Sequence, residues 1–138
     1  MNSIGIMLGR LSPSINNQIQ TFPSKTWRNE FQLANKLGFD SIEWIYDLTE
    51  NNPIVSQDLG ELKKLSVENC IKIDSVCADY FMEKKLFNVS EYDLSSNLKI
   101  LNKLIENCHK LNIEILEIPL VDSSSIQNEK FRKEFVLN

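Results

Sequence analysis

An α/β fold is predicted by three features of the sequence. Four short runs are rich in Ile, Val and aromatic residues, amphipathic helical segments lie between them, and the connections are of crossover length. The order reads β-α-β-α-β-α-β-α. The fold expected is about the first four units of a (β/α)8 barrel, with an open parallel α/β sheet as the alternative that periodicity alone does not separate.

The first strand is Ile4–Leu8. A helix follows, with Trp27, Phe31, Ala34 and Leu37 on one face and Gly38 placed for a left-handed C-terminus. The second strand is Ser41–Tyr46, and Leu59, Leu62 and Leu65 mark the helix after it. Ile71–Ala78 forms the third strand. The clearest helix comes next, carrying Leu94, Leu98, Leu101, Ile105, Cys108 and Leu111 and opening on Ser90-Glu-Tyr-Asp93, a capping box with Asp in place of Glu or Gln. Ile113–Val121 is the fourth strand, and a last helix starts near Asn128 with Phe131 and Phe135 on one side.

The strands begin at positions 4, 41, 71 and 113. A barrel of about 250 residues spends about 31 per unit, so residues 1–138 read as one domain with room for half a barrel. In such a half, the first and fourth strands are exposed parallel edges and the last helix leaves its phenylalanines with little cover. The expectation is a missing C-terminal half, ahead of an open sheet closed by dimerisation.

Composition narrows the partners. The formal net charge is −4 and the Lys63–Lys64 and Lys84–Lys85 doublets read as solvated faces, so no nucleic-acid partner is expected. No window approaches a membrane span, and the N-terminus lacks the pattern of a signal peptide. Cys70, Cys77 and Cys108 form no CxxC pair, which fits reduced thiols and a cytoplasmic location.

In this architecture chemistry gathers past the carboxyl ends of the strands. Arg10, in the Gly9-Arg-Leu-Ser-Pro13 turn, offers a planar cation to a phosphate or carboxylate, or else pairs with Glu43; both readings stay open. Glu43 interrupts an apolar strand, where a carboxylate is costly unless paired or functional, while Trp44 reads as packing. Ser75, Cys77 and Asp79 share a face; Cys77 has no base near it in sequence and reads as a small buried thiol. Asp122 and the serines after it read first as caps of the next helix and second as contacts to substrate hydroxyls. The single histidine, His109, lies in a helix away from the strand ends. No GxGxxG, GxxxxGK[ST] or Gly-x-Ser-x-Gly motif occurs.

The opening Ile4-Gly-Ile-Met-Leu-Gly-Arg-Leu-Ser-Pro13 resembles the IGIMQGRLSP start of sugar-phosphate isomerases/epimerases of the xylose-isomerase-like TIM-barrel superfamily. The likeness continues through Phe22-Pro, Trp27, Leu37–Trp44, Ser75–Met82 and Ile118–Ser124. The resemblance implies metal-assisted proton transfer beside a carbonyl, through an enediolate, on a sugar or sugar phosphate. It implies a divalent metal (Mn, Mg, Zn or Co) for the whole barrel, with ligands mainly from later strands, after Asn138. This chain alone is then expected to bind no metal and to be inactive. Arg10, Glu43, Cys77, Asp79 and Asp122 carry over as substrate-pocket lining. Leu8 stands where a Gln is common, which removes a polar group if it faces the pocket. The alternative is a non-catalytic α/β binding or dimerisation module; a response-regulator-like domain is set aside for want of acidic residues after the first strand.

Overall fold

A computed structural model describes residues 3–15, 17–18 and 20–137. Its centre is a sheet of four parallel strands in the order β1-β2-β3-β4: Gly5–Met7 (β1), Ser41–Ile45 (β2), Lys72–Cys77 (β3) and Ile115–Glu117 (β4). The helices are Trp27–Leu37 (α1), Gly60–Asn69 (α2), the short Tyr80–Glu83 (α3), Glu91–Leu111 (α4) and Glu129–Leu137 (α5). Two 3₁₀ turns, Pro53–Val55 and Asp122–Ser124, complete the connections. The fold is α/β with an all-parallel sheet, and that sheet is open: β1 and β4 are its edges.

The strand order never reverses. Right-handed crossovers that always step the same way place their helices on one face, whereas a doubly wound sheet reverses and covers both. Burial agrees. Leu8, Ile42, Trp44, Ile73 and Val76 form one core with Trp27, Phe31 and Ala34 of α1, Leu62 of α2, and Leu104 and Cys108 of α4. On the opposite face Gly5, Ile115 and Glu117 are exposed, and Met7, Glu43 and Ser75 are half-buried. Leu8 therefore belongs to the core and not to a pocket rim.

Strand register explains why β3 does not alternate simply. Ile42 pairs with Ile73 but Glu43 pairs with Ser75, so Asp74 is an extra residue in a bulge. Ile73 and Val76, three apart, consequently both reach the core. β4 is shorter than the expected Ile113–Val121. Pro119 has no N–H to donate, and the last ladder bond in this region runs from Ala78 N–H to the Glu117 carbonyl.

The helices depart from their expected stripes at particular positions. In α1 the buried set is Trp27, Glu30, Phe31 and Ala34; Leu37 is exposed, because the chain leaves the core at Gly38 (φ 81°). In α4 the buried set is Asn97, Leu104, Asn107 and Cys108, and Ile105 faces solvent. Ser90 caps that helix by accepting the Asp93 N–H, but Asp93 answers through the Ser90 hydroxyl at 2.6 Å. The phenylalanines of α5 are not left bare: Phe131 and Phe135 pack on Phe87, at ring-centroid distances of 5.6 and 6.2 Å. Among the described residues, no helix is long and apolar enough to cross a membrane.

Candidate functional site

The carboxyl ends of β2, β3 and β4, with the segment that follows β1, enclose an open cleft of about 1050 Å³. Each connection brings side chains to it by ending its strand at the same level of the sheet. Gln20 and Thr21 come from the segment after β1, Asp47 and Thr49 follow β2, Cys77 and Asp79 end β3, and Glu117 to Asp122 follow β4. Five carboxylates line this space (Asp47, Asp79, Glu83, Glu117 and Asp122), and among the described residues no Lys, Arg or His does. The cleft thus favours ligands that donate hydrogen bonds over ligands that carry negative charge.

The walls are tied together by hydrogen bonds. Gln20 Nε2 donates to Asp79 Oδ2 at 2.7 Å and to Cys77 Sγ at 3.6 Å, and the Cys77 thiol donates to Asp79 Oδ1 at 3.3 Å. Asp47 accepts the Phe22 N–H through Oδ2 and the Thr49 N–H through Oδ1, both at 2.9 Å, and so fixes the segment after β1 against the end of β2. Tyr46 and Tyr80 stack at 5.0 Å beneath the same end. Burial, then the charge and hydrogen bond of Asp79, then the charges of Glu117 and Glu43, push the Cys77 thiol far above its ordinary range. Cys77 is held as a protonated thiol, which removes it as a nucleophile or base.

Of the residues singled out in the sequence, Cys77, Asp79 and Asp122 meet in this cleft, and Arg10 and Glu43 lie outside it. Glu43 is half-buried in the middle of the helix-free face and accepts the Ser75 hydroxyl at 3.2 Å. Arg10 is exposed, with its guanidinium 3.8 Å from Met7 Sδ; its ion pair with Glu43 does not form. The serines after Asp122 do not cap α5. Ser124 donates to the Pro119 and Val121 carbonyls and Ser123 to that of Met82, while Asn128 Oδ1 receives the Lys130 N–H. His109 is exposed in the last turn of α4.

Two supporting residues escaped the sequence reading. Asp47 had a signal, an acid directly after a strand. Glu30 had one as well, a carboxylate on a helix face that otherwise reads as apolar, where burial is costly unless the group is paired. It is fully buried, and its Oε2 accepts the Gly9 N–H at 2.6 Å while Oε1 has no hydrogen-bond partner. Gly9 itself is obligatory here: its φ is 90°, and a Cβ would lie 3.1 Å from the Thr21 carbonyl.

Burial raises the Glu30 pKa above its ordinary 4.5, with the Ser12 hydroxyl and the Gly9 and Leu11 N–H groups offsetting part of that rise. Between 4.5 and the raised folded value, the folded chain holds a proton that the unfolded chain releases. Stability therefore falls as pH rises through that window, and the loss is complete above the folded value. Glu30→Gln, which stays neutral, is expected to flatten this slope and to be at least as stable as the parent at neutral pH. Glu30→Ala, which leaves the Gly9 N–H without its acceptor, is expected to lose about 1–3 kcal/mol at every pH. Urea titrations across pH 4 to 8 (roughly the range of carboxyl and histidine titration) distinguish these outcomes; a parallel slope in Glu30→Gln would assign the titration elsewhere.

Among the described residues, no group of three or more His, Cys, Asp or Glu side chains is arranged to hold a metal ion. No protein-family model matches the chain, and no curated protein matches it.

Proposed function

We propose that this chain is a sugar-phosphate isomerase/epimerase-like unit, one side of a (β/α)8 ring, whose cleft binds the hydroxyl-rich part of a sugar. The observation that carries the proposal is the uninterrupted parallel order β1-β2-β3-β4, with a carboxylate-lined cleft at the carboxyl ends. The opening Ile4–Pro13 motif and the segments after it add the family resemblance. In this reading Asp79 and Glu117 accept hydrogen bonds from sugar hydroxyls, and Gln20 and Thr49 complete the polar lining. Arg10, on the same end of the sheet, is the cation available for a phosphate.

Among the described residues no group of three or more His, Cys, Asp or Glu side chains is arranged for the divalent metal that the resemblance implies, and no step through that metal is assigned to them. Closing a ring of eight takes four more strand–helix units. The 138-residue chain is expected to turn over no sugar phosphate with Mn, Mg, Co or Zn added, yet to bind sugars weakly and saturably. In amide chemical-shift titrations with hexoses and hexose phosphates, the shifts are expected around Asp79 and Glu117, and Asp79→Ala is expected to weaken binding about tenfold. Shifts confined to other surfaces would remove the binding proposal, and turnover by the chain alone would overturn the view that its metal site lies elsewhere. A non-catalytic dimerisation module is the second reading, favoured by the two sheet edges that pair with no strand among the described residues.

A further inference from the structure

We infer that Glu30 is a positioning residue for the cleft: from inside α1 it sets where the Gln20–Thr21 wall stands over the end of β3, acting through the turn at Gly9. The inference deepens the sugar-binding reading and rests on it for the ligand, but the position of the wall is measurable without one.

Stability alone does not account for this carboxylate. Glu30 shares the buried stripe of α1 with Trp27, Phe31 and Ala34, and it is fully excluded from water. An apolar side chain there would be buried at no electrostatic cost. A carboxylate loses its hydration, and among the described residues this one forms no ion pair and its Oε1 has no hydrogen-bond partner. What the side chain gains is a hold on the turn after β1. Its Oε2 accepts the Gly9 N–H at 2.6 Å, and the Leu11 N–H and the Ser12 hydroxyl are directed at the same carboxylate. The turn is therefore folded around an anion supplied by the helix, as backbone nests fold around bound anions.

That turn bears directly on the cleft wall. Gly9 lies so close to the segment after β1 that a Cβ would come within 3.1 Å of the Thr21 carbonyl and 3.8 Å of Pro23 Cδ. The Thr26 hydroxyl donates to Ser12 Oγ at 2.7 Å, which ties the turn to the start of α1 as well. Thr21 is followed by Phe22, whose N–H is fixed by Asp47, and preceded by Gln20, which crosses to Asp79 at 2.7 Å. With Phe22 pinned, a movement at Gly9 is taken up at Thr21 and Gln20. A shift of about 1 Å carries a hydrogen bond of this length past about 3.5 Å, where it no longer holds. The path from Glu30 through Gly9, Thr21 and Gln20 to Asp79 is thus continuous, and its last two residues line the cleft.

Amide and side-chain NH2 spectra of the ligand-free chain read the wall directly. In Glu30→Ala the Gly9, Thr21 and Gln20 signals are expected to move, the Gln20 side-chain amide included. Glu30→Gln keeps an acceptor for the Gly9 N–H and is expected to restore the parent's positions. The Asn107 side-chain amide, which bonds the 3₁₀ turn after β2 and not the wall, reports whether the rest of the fold is intact. With hexose added, Glu30→Ala is expected to bind about tenfold more weakly and Glu30→Gln within about twofold of the parent. If Glu30→Ala loses the Asn107 signals and so fails to fold, Gly9→Ala asks the same question with Glu30 in place. Its methyl group presses on the Thr21 carbonyl and is expected to move the same Thr21 and Gln20 signals. Gln20 signals that stay in place in the folded variant overturn the proposal. So does a Glu30→Gln chain displaced as far as Glu30→Ala, or hexose binding by Glu30→Ala equal to the parent's. A parent that binds no hexose while the wall signals move as expected removes the sugar reading and leaves the role of Glu30 standing.

Discussion

Replacing Trp44 by alanine is expected to remove about 3–5 kcal/mol of unfolding free energy, most of the stability of a domain this size. Trp44 sits at the centre of β2 with its side chain wholly excluded from water. Its ring meets Trp27 at 5.5 Å, Phe22 at 5.6 Å and Phe31 at 6.4 Å between centroids. It is thus the point where the sheet, the first helix and the segment after β1 are joined. Its indole N–H also donates to Asn52 Oδ1 at 2.9 Å, and Asn52 in turn donates to the Ile45 carbonyl and accepts the Ile54 N–H. Alanine removes both the aromatic contacts and the polar anchor. Trp44→Phe keeps much of the packing and leaves Asn52 Oδ1 with one donor, so a loss of only about 1–2 kcal/mol is expected. Guanidinium titrations of the three proteins order them; an alanine variant within about 1 kcal/mol of the parent would show that this cluster is not the organising contact.

What the sequence makes legible here follows from periodicity. Ile42 and Trp44 alternate with Ser41 and Glu43, and that alternation alone puts Trp44 toward the helices and Glu43 on the other face. Trp27, Phe31 and Ala34 recur at helical spacing, and Gly38 ends their helix as such a glycine should. Strand order is different in kind. Whether β2 lies beside β1, and whether the order reverses, depends on which face each crossover takes, and no window of sequence records that. The buried polar residues are also hidden, for a related reason. One Glu30 oxygen and the Asn107 amide nitrogen find partners in backbone groups of loops 21 and 51–53 residues away. A helical wheel shows the face each residue lies on but not these distant partners.

The candidate site divides along the same line. Asp79 and Asp122 could be placed by reading just past each strand, because strand ends share a level in a parallel sheet. The ties that shape the cleft could not. Gln20 reaches Asp79 across 59 residues and Asp47 holds the Phe22 N–H across 25, contacts that exist only once the segment after β1 has folded over the strand ends. Arg10 shows the converse: the motif that carries it is conspicuous in sequence, but it follows β1 at one edge of the sheet and lies outside the cleft.

Asn107→Leu carries the second large effect, a loss of about 2–5 kcal/mol, because it leaves the buried Ile54 carbonyl and the part-buried Ser56 carbonyl without their donor. The Asn107 side chain is fully buried in α4, and its Nδ2 donates to the Ile54 carbonyl at 2.8 Å and to the Ser56 carbonyl at 2.9 Å. Those carbonyls belong to the 3₁₀ turn between β2 and α2 and its exit, so one amide clamps α4 against a connection it does not otherwise share a strand with. Leucine has the same branched outline, is somewhat larger and is more hydrophobic, and on apolar burial alone it should stabilise the helix. The sign of the result therefore decides between hydrophobic filling and carbonyl satisfaction as the stronger term at this position. Asn107→Asp sharpens the test. Its carboxylate would direct negative charge at both carbonyl oxygens, so it is expected to be worse than leucine at neutral pH. Its deficit is expected to shrink as pH falls, because the protonated acid regains one O–H donor. Thermal melts and urea titrations at two pH values read both outcomes. A leucine variant as stable as the parent would mean that water or a shifted turn supplies the missing donors, and that α4 is held by Leu104 and Cys108 instead.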